Sequence, residues 1–229
     1  MFKRANNILL LLIITQFIAT SVLSHVLHYK ELNKLEFDLY RNDKLIGKHI
    51  YSFNRDGQKL IVTSKINFEI KKLGVVFYKY KADGTEEYFD GELLKFSSIT
   101  HQNKKDKFCK IYKKENVFFI EGSSFKGKAP DDFIIGTWWN HQIIKYDRQI
   151  SAVSGRIIEQ KVEFLGKEKI NIGDKEYNAL KFNFSSTDAS LSRGKKLNTN
   201  VWYDEKSLIW LKVSFDKTGK WEYRLKKIN

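Results

Sequence analysis

The residues of this chain best suited to chemistry are five histidines (His25, His28, His49, His101 and His141), a single cysteine, and two pairs of neighbouring carboxylates. His25 and His28 have a spacing that two metal ligands can use. A zinc centre needs at least a third protein ligand, and none stands near them in the sequence. His141, Asp147 and Ser151 or Ser154 supply the three group types of a hydrolytic triad, but no glycine-framed serine of the nucleophile-elbow kind accompanies them. Cys109 lies in Phe108-Cys109-Lys110-Ile111-Tyr112, where apolar and polar residues alternate. In that setting a thiol is a small buried hydrophobe rather than a nucleophile. Glu86-Glu87 and Asp131-Asp132 are adjacent carboxylates. Neighbours on a strand point to opposite faces and so cannot divide acid and base roles between them; Asp131-Asp132 reads as a helix start. Neither a Walker-type nor a dinucleotide-type glycine loop is present, so nucleotide phosphates have no cradle. The expectation is a non-enzymatic protein with no catalytic residue, metal ligand or cofactor.

What remains distinctive is aromatic. Trp138-Trp139-Asn140 places two of the chain's five tryptophans side by side. Trp202-Tyr203 lies in a second such stretch, Val201-Trp202-Tyr203-Asp204. Each indole can bury about 200 Å², worth at most roughly 5 kcal/mol at 25 cal/mol per Å². The Trp138-Trp139 pair is therefore either a packing plug or the wall of a greasy site. On a strand, Val201 and Tyr203 share one face while Trp202 and Asp204 share the other. One ring must then face away from the core, packing under a loop or lining a cleft. Trp138, Trp139, Asn140, Trp202 and Tyr203 are the candidate ligand-binding residues.

The elements that must hold these residues are strands. Leu60, Val62, Ile66, Phe68 and Ile70 alternate with Thr63, Lys65, Asn67, Glu69 and Lys71, a period of two over a long segment. Leu35, Phe37 and Leu39 repeat the pattern, as do Ile209, Leu211, Val213 and Phe215, and then Trp221, Tyr223 and Leu225. One greasy and one polar face is the signature of antiparallel sheets with a wet side. Asp56-Gly57, Asp83-Gly84 and Asp90-Gly91 are hairpin-turn signals, and Gly173-Asp174 and Thr218-Gly219 mark further turns. Residues 122–136 hold the only proline and read as a loop. Residues 137–146 read as a short helix with Thr137 as N-cap, and residues 185–198 as a long polar hairpin loop. The pattern predicts an all-β protein: one large curved antiparallel sheet, a half-barrel or open-barrel meander, with a short helix/loop plug around 122–146. A sheet with one apolar face must bury it, and the aromatic plug is the natural cover.

Residues 1–24 have the layout of a signal peptide: Lys3 and Arg4, an apolar run over 8–15, then small residues before Ser24. An uncleaved N-terminal anchor is the alternative, since residues 8–27 are about long enough to span a bilayer. Both readings put residues 25–229, a single β-rich domain, outside the cytoplasm, in the periplasm or secreted. No cysteine near the cut permits a lipoprotein anchor, and one cysteine permits no internal disulfide. The formal charge of +14 favours acidic surfaces such as anionic lipid. The lysines are spread along the chain, however, with Lys104-Lys105-Asp106-Lys107 and Lys113-Lys114 the densest patches. Basic residues interleave with aromatics as a nucleic-acid platform would require, but an exported protein has little access to nucleic acid, and none is expected as a partner.

Three stretches in this order carry a resemblance: Trp139-Asn140 after the glycine- and proline-bearing loop, Val201-Trp202-Tyr203-Asp204, and Gly219-Lys220-Trp221-Glu222-Tyr223-Arg224-Leu225. Together they resemble an uncharacterised family of proteobacterial periplasmic proteins known only as a domain of unknown function. The resemblance covers nearly all of residues 25–229. It implies a curved antiparallel sheet, similar in outline to the half-barrels of periplasmic lipoprotein carriers, and supplies no catalytic residue. The function expected is binding of a hydrophobic or amphipathic, lipid-like ligand. The alternatives are a basic envelope protein docking on anionic lipid or an acidic partner, and a hydrolase with an unrecognised site. Ligand identity, oligomeric state and the choice between half-barrel and sandwich are left open by the sequence.

Overall fold

A computed structural model describes residues 29–229. The expected signal segment and the His25/His28 pair lie outside the described residues. Fifteen strands form one sheet. The first eight are β1 (Lys34–Arg41), β2 (Lys44–Asp56), β3 (Lys59–Lys72), β4 (Val75–Phe89), β5 (Glu92–Gln102), β6 (Lys105–Lys114), β7 (Val117–Gly122) and β8 (Lys126–Lys128). Two short strands, β9 (Ile134–Ile135) and β10 (Arg148–Ile150), precede β11 (Ile157–Ile172), β12 (Lys175–Ser186), β13 (Asn198–Asp204), β14 (Trp210–Asp216) and β15 (Lys220–Ile228).

The order across the sheet is β8-β7-β6-β5-β4-β3-β2-β1-β15-β14-β13-β12-β11-β10-β9, antiparallel throughout except for the β9–β10 pair. Two meanders therefore run outward from a central seam where β1 pairs with β15, Leu39 opposite Tyr223. Period-two chemistry makes the strands as the sequence predicts. In β1, Leu35, Phe37 and Leu39 are buried while the residues between them face outward. Asn42-Asp43 and Asp90-Gly91 turn with positive φ at both central positions, the geometry that matches strand twist in two-residue hairpins. Register shifts at Leu39/Tyr40, Ile70/Lys71, Phe164/Gly166 and Trp202/Tyr203 add bend to the sheet.

The sheet curls without closing into a barrel. Its two flanks are tied by backbone contact instead. Ser124 N–H donates to Ser154 O at 2.9 Å, and the Ser98 hydroxyl donates to Ala152 O. Gly122 and Gly155 permit this approach: a Cβ on Gly122 would stand 2.5 Å from Ser154 O, and one on Gly155 2.9 Å from the Ile120 side chain.

Three local expectations are corrected. Asp83-Gly84 is no turn but lies mid-strand in β4, with Gly84 paired to both Ser64 and Ser98. The β3–β4 reversal falls at Leu73-Gly74, both at positive φ. Residues 137–146 form not an α-helix capped by Thr137 but a 3-10 helix, His141–Lys145, whose cap is Asn140, its side chain accepting from Gln142 N–H at 3.1 Å. The segment 122–136 contains β8 and β9 rather than loop alone.

Candidate functional site

The core divides at the plug. Trp139 is fully buried, edge-on to Tyr29, Phe53 and Tyr88 at centroid distances of 5.8, 5.2 and 6.0 Å. Its indole N–H donates to Glu86 Oε1 at 2.7 Å, and the Tyr88 hydroxyl donates to Glu86 Oε2 at 2.5 Å. Burial pushes the Glu86 carboxyl above the usual carboxylate range, against the bonds from Tyr88, Trp139 and Thr137 that favour its charged form. Beside it, the His141 ring lies against Tyr29, with Nδ1 2.6 Å from the phenol oxygen and Nε2 2.7 Å from the Gln142 amide. Tyr29 is thereby locked to the plug 112 positions away in sequence.

Between the plug and the upper half of the sheet the concave face is hollow. The inner chamber has a volume of about 180 Å³ and is walled by His49, Ser64, Ala82, Gly84, Ser98, Thr100 and the plug residues Thr137 and Trp138. The chamber exists because β3, β4 and β5 present small residues at one level, where their neighbours along the same strands present Phe68, Tyr80, Tyr88 and Phe96. His49 is buried and stacks near Tyr51 at 4.4 Å, with Nε2 2.8 Å from the Ser64 hydroxyl. Burial lowers its pKa to about 3, so the ring is neutral near pH 7. Its Nδ1 has no hydrogen-bond partner among the described residues.

The chamber shares Tyr80, Phe215 and Tyr223 with an outer cleft of about 410 Å³. Phe68 stacks on Tyr80 at 4.8 Å, Phe215 stacks on Trp221 at 5.9 Å, and Phe68 meets Trp221 edge-on at 5.3 Å, so the cleft is an aromatic trough. Burial pushes the Tyr80 phenol up to about 12, keeping that wall uncharged. Arg41 and Lys217 stand at the mouth. Arg41 lies over the Trp221 ring at 5.8 Å and donates to Thr218 O, while its Nε has no partner among the described residues. Larger hollows, about 710 and 650 Å³, lie where outward-facing residues such as Lys48, Lys65 and Lys81, or Lys212, Lys220 and Lys226, form the walls. Charged lysines line them, whereas aromatic rings wall the trough, and apolar walls are the usual chemistry of ligand sites.

Of the five residues singled out in the sequence, Trp138 lines the chamber and packs edge-on to Phe184 at 5.0 Å. Trp139 and Asn140 hold the plug, and Tyr203 is core, its hydroxyl donating to Trp138 O at 3.0 Å. Trp202 faces outward, as its strand position requires, but is buried there beneath Lys181 and Lys212 at 5.0 and 4.9 Å and donates to Glu168. Cys109 is buried, and burial pushes its thiol up to about 12. The site residues that the sequence did not single out for ligand binding are Arg41, His49, Tyr78, Tyr80, Phe215 and Trp221. Tyr78, Tyr80, Phe215 and Trp221 were visible as aromatics on β4, β14 and β15, but nothing local says that these strands converge with Arg41 of β1 and His49 of β2.

Comparison with known proteins bears on the fold. A family model described as a domain of unknown function, DUF6134, matches residues 37–226. No curated protein matches the chain in sequence. Among solved structures, a β-barrel-like protein of the domain of unknown function DUF1849 from Brucella abortus is similar with a TM-score of 0.57. The two are 10% identical, over 86% of this chain and 98% of that chain, a likeness of fold alone. A DUF1329 family protein from Desulfovibrio piger ATCC 29098 is 9% identical over 90% of this chain and 89% of that one. Its TM-score of 0.20 carries no argument.

Proposed function

The chain belongs to the DUF6134 family of domains of unknown function, and from its concave face we propose that it is an exported, non-enzymatic module that holds an elongated amphipathic ligand with an anionic head. The observation that carries this reading is an aromatic trough with Arg41 and Lys217 in its wall, set beside an inner chamber with which it shares Tyr80, Phe215 and Tyr223. The two hollows together fall within the ~300–1,000 Å³ usual for small-molecule sites, and their pairing of apolar walls with few polar groups is the usual chemistry of such sites. An acyl chain suits the trough, its carboxylate or phosphate meeting Arg41 and Lys217.

The test uses protein from residue 25 onward, which contains every described residue. N-phenyl-1-naphthylamine should bind saturably with enhanced fluorescence and be displaced by dodecanoate. Arg41→Ala should weaken dodecanoate roughly tenfold, the loss of about one charge-assisted contact, and leave dodecanol unchanged. Absence of saturable probe uptake, or equal loss for dodecanoate and dodecanol, refutes the proposal.

A further inference from the structure

The β3–β4 hairpin ends in the stretch Lys71-Lys72-Leu73-Gly74-Val75-Val76-Phe77, every residue of which is exposed. Leu73 is 96%, Val75 70% and Phe77 74% accessible, an apolar knob of a kind that soluble surfaces rarely leave uncovered. Lysines flank it on both strands, Lys71 and Lys72 before the turn and Lys79 and Lys81 after it. Glu69 and Asp83 neutralise part of this charge, lying 3.5 Å from Lys79 and Lys81 respectively.

The surroundings of the knob point the same way. In a meander, alternate turns gather at one end of the sheet. The end that carries Leu73-Gly74 also carries Lys104, Lys217, and Arg193, Lys195 and Lys196 of the β12–β13 loop, all exposed. Asp43 and Asp188 are the acids of those turns, and Asp43 is paired with Arg224 at 2.9 Å. The turns of the opposite end carry Asp90, Glu115, Asp174 and Glu205 against Lys206 and so present no basic surface. Phe77 belongs at once to the knob and to the wall of the aromatic trough, so the mouth of the trough opens beside the knob.

We infer that this hairpin tip is a membrane-docking element: Leu73, Val75, Val76 and Phe77 enter the interfacial layer of an anionic bilayer, and the basic turns around them meet its headgroups. An apolar tip ringed by cations is what interfacial binding needs, apolar burial supplying depth and lysines supplying attraction. Lysine stems reach outward from the tip's base without leaving the headgroup zone. Docking in this pose sets the trough mouth against the lipid surface, where an amphipathic ligand exchanges without crossing water. The docking itself does not depend on the trough being a ligand site.

The experiment is vesicle co-sedimentation with protein from residue 25 onward, which leaves out residues 8–24, most of the apolar stretch that would itself bind lipid. Wild-type protein should bind phosphatidylcholine vesicles containing phosphatidylglycerol and bind pure phosphatidylcholine weakly. Leu73→Ser/Val75→Ser removes two exposed side chains that line neither core nor trough, and should lower partitioning by at least about tenfold. A Leu73→Trp variant should shift its emission to the blue only with anionic vesicles. Failure of the wild-type protein to bind anionic vesicles, or equal binding by the double variant, overturns the inference. So does a self-association, seen by sedimentation, that the double variant abolishes, since the tip's occupant would then be a second copy. Uptake of N-phenyl-1-naphthylamine separates the two proposals. A protein that takes up the probe but ignores vesicles sinks the docking alone, and the converse sinks only the ligand reading.

Discussion

Adjacent tryptophans with opposite duties make a sharp test. Trp139→Phe removes the indole N–H that reaches Glu86 Oε1 at 2.7 Å and half of the ring system caged by Tyr29, Phe53 and Tyr88. Losing a hydrogen bond to a buried ionisable group costs about 1.5–3 kcal/mol. The smaller ring in an unrelaxed cage adds about 1–2 kcal/mol, for a total of about 2.5–5 kcal/mol. For a domain of this size that lowers Tm on the order of 10 °C. Trp138→Phe alters a half-buried ring that packs on Phe184 and faces the chamber. It should cost about 1 kcal/mol or less while changing probe uptake. The assay is urea unfolding of both variants, followed across pH. Glu86 has a raised folded pKa, so the folded state holds its proton more tightly than the unfolded chain does. Its penalty is therefore present above the folded value and relieved as pH falls from there toward the ordinary carboxylate value of about 4.3. Without Trp139 the folded value rises further, so the deficit of Trp139→Phe should shrink on acidification. A deficit below about 1 kcal/mol, or one that grows as pH falls, would refute the anchoring argument.

Two further outcomes follow from the same geometry. Ala82→Phe puts a ring into the chamber between Ser64, Gly84 and Thr100. It should abolish uptake of longer acyl chains while shorter ones still occupy the trough, which a chain-length series in the displacement assay reads directly. At Glu222 burial pushes the carboxyl up, yet Arg224, Lys212 and Lys220 outweigh it and hold it at about 2. Its stabilisation is thus present above the unfolded value of about 4.3 and lost as pH falls toward about 2. Urea titrations of Glu222→Gln should be less stable than wild type at neutral pH, with the gap closing through that acid window.

The alternation of Leu35, Phe37 and Leu39, or of Leu60 and Val62, is a local property, and it was legible because strand period and one-sided burial are both written in neighbouring residues. Turn chemistry was less secure. Asp83-Gly84 and Asp90-Gly91 are the same dipeptide, but one reverses the chain and the other runs straight, because β4 is paired on both sides through residue 84. Pairing with distant strands overrode the local signal. The short helix was misplaced for a related reason: Asn140, rather than Thr137, makes the cap bond, and Trp139 is drawn out of any helix by Glu86, 53 positions earlier. Among site residues, the tryptophan pair announced itself by composition. Gly84 and Ala82, the gaps that make the chamber, carry no signal of their own.

From the linear chain alone came the all-β class, the one-sided sheet, the aromatic cover and the excess of positive charge, because each depends on composition or on spacing within a few residues. Only the tertiary structure decided which aromatics meet. Arg41, Phe68, Tyr80 and Trp221 come from four strands of both meanders and converge because β1 pairs with β15 and the sheet curls around that seam. Such closure is a balance of register, bulges and packing summed over the whole sheet, and no segment of the sequence contains it.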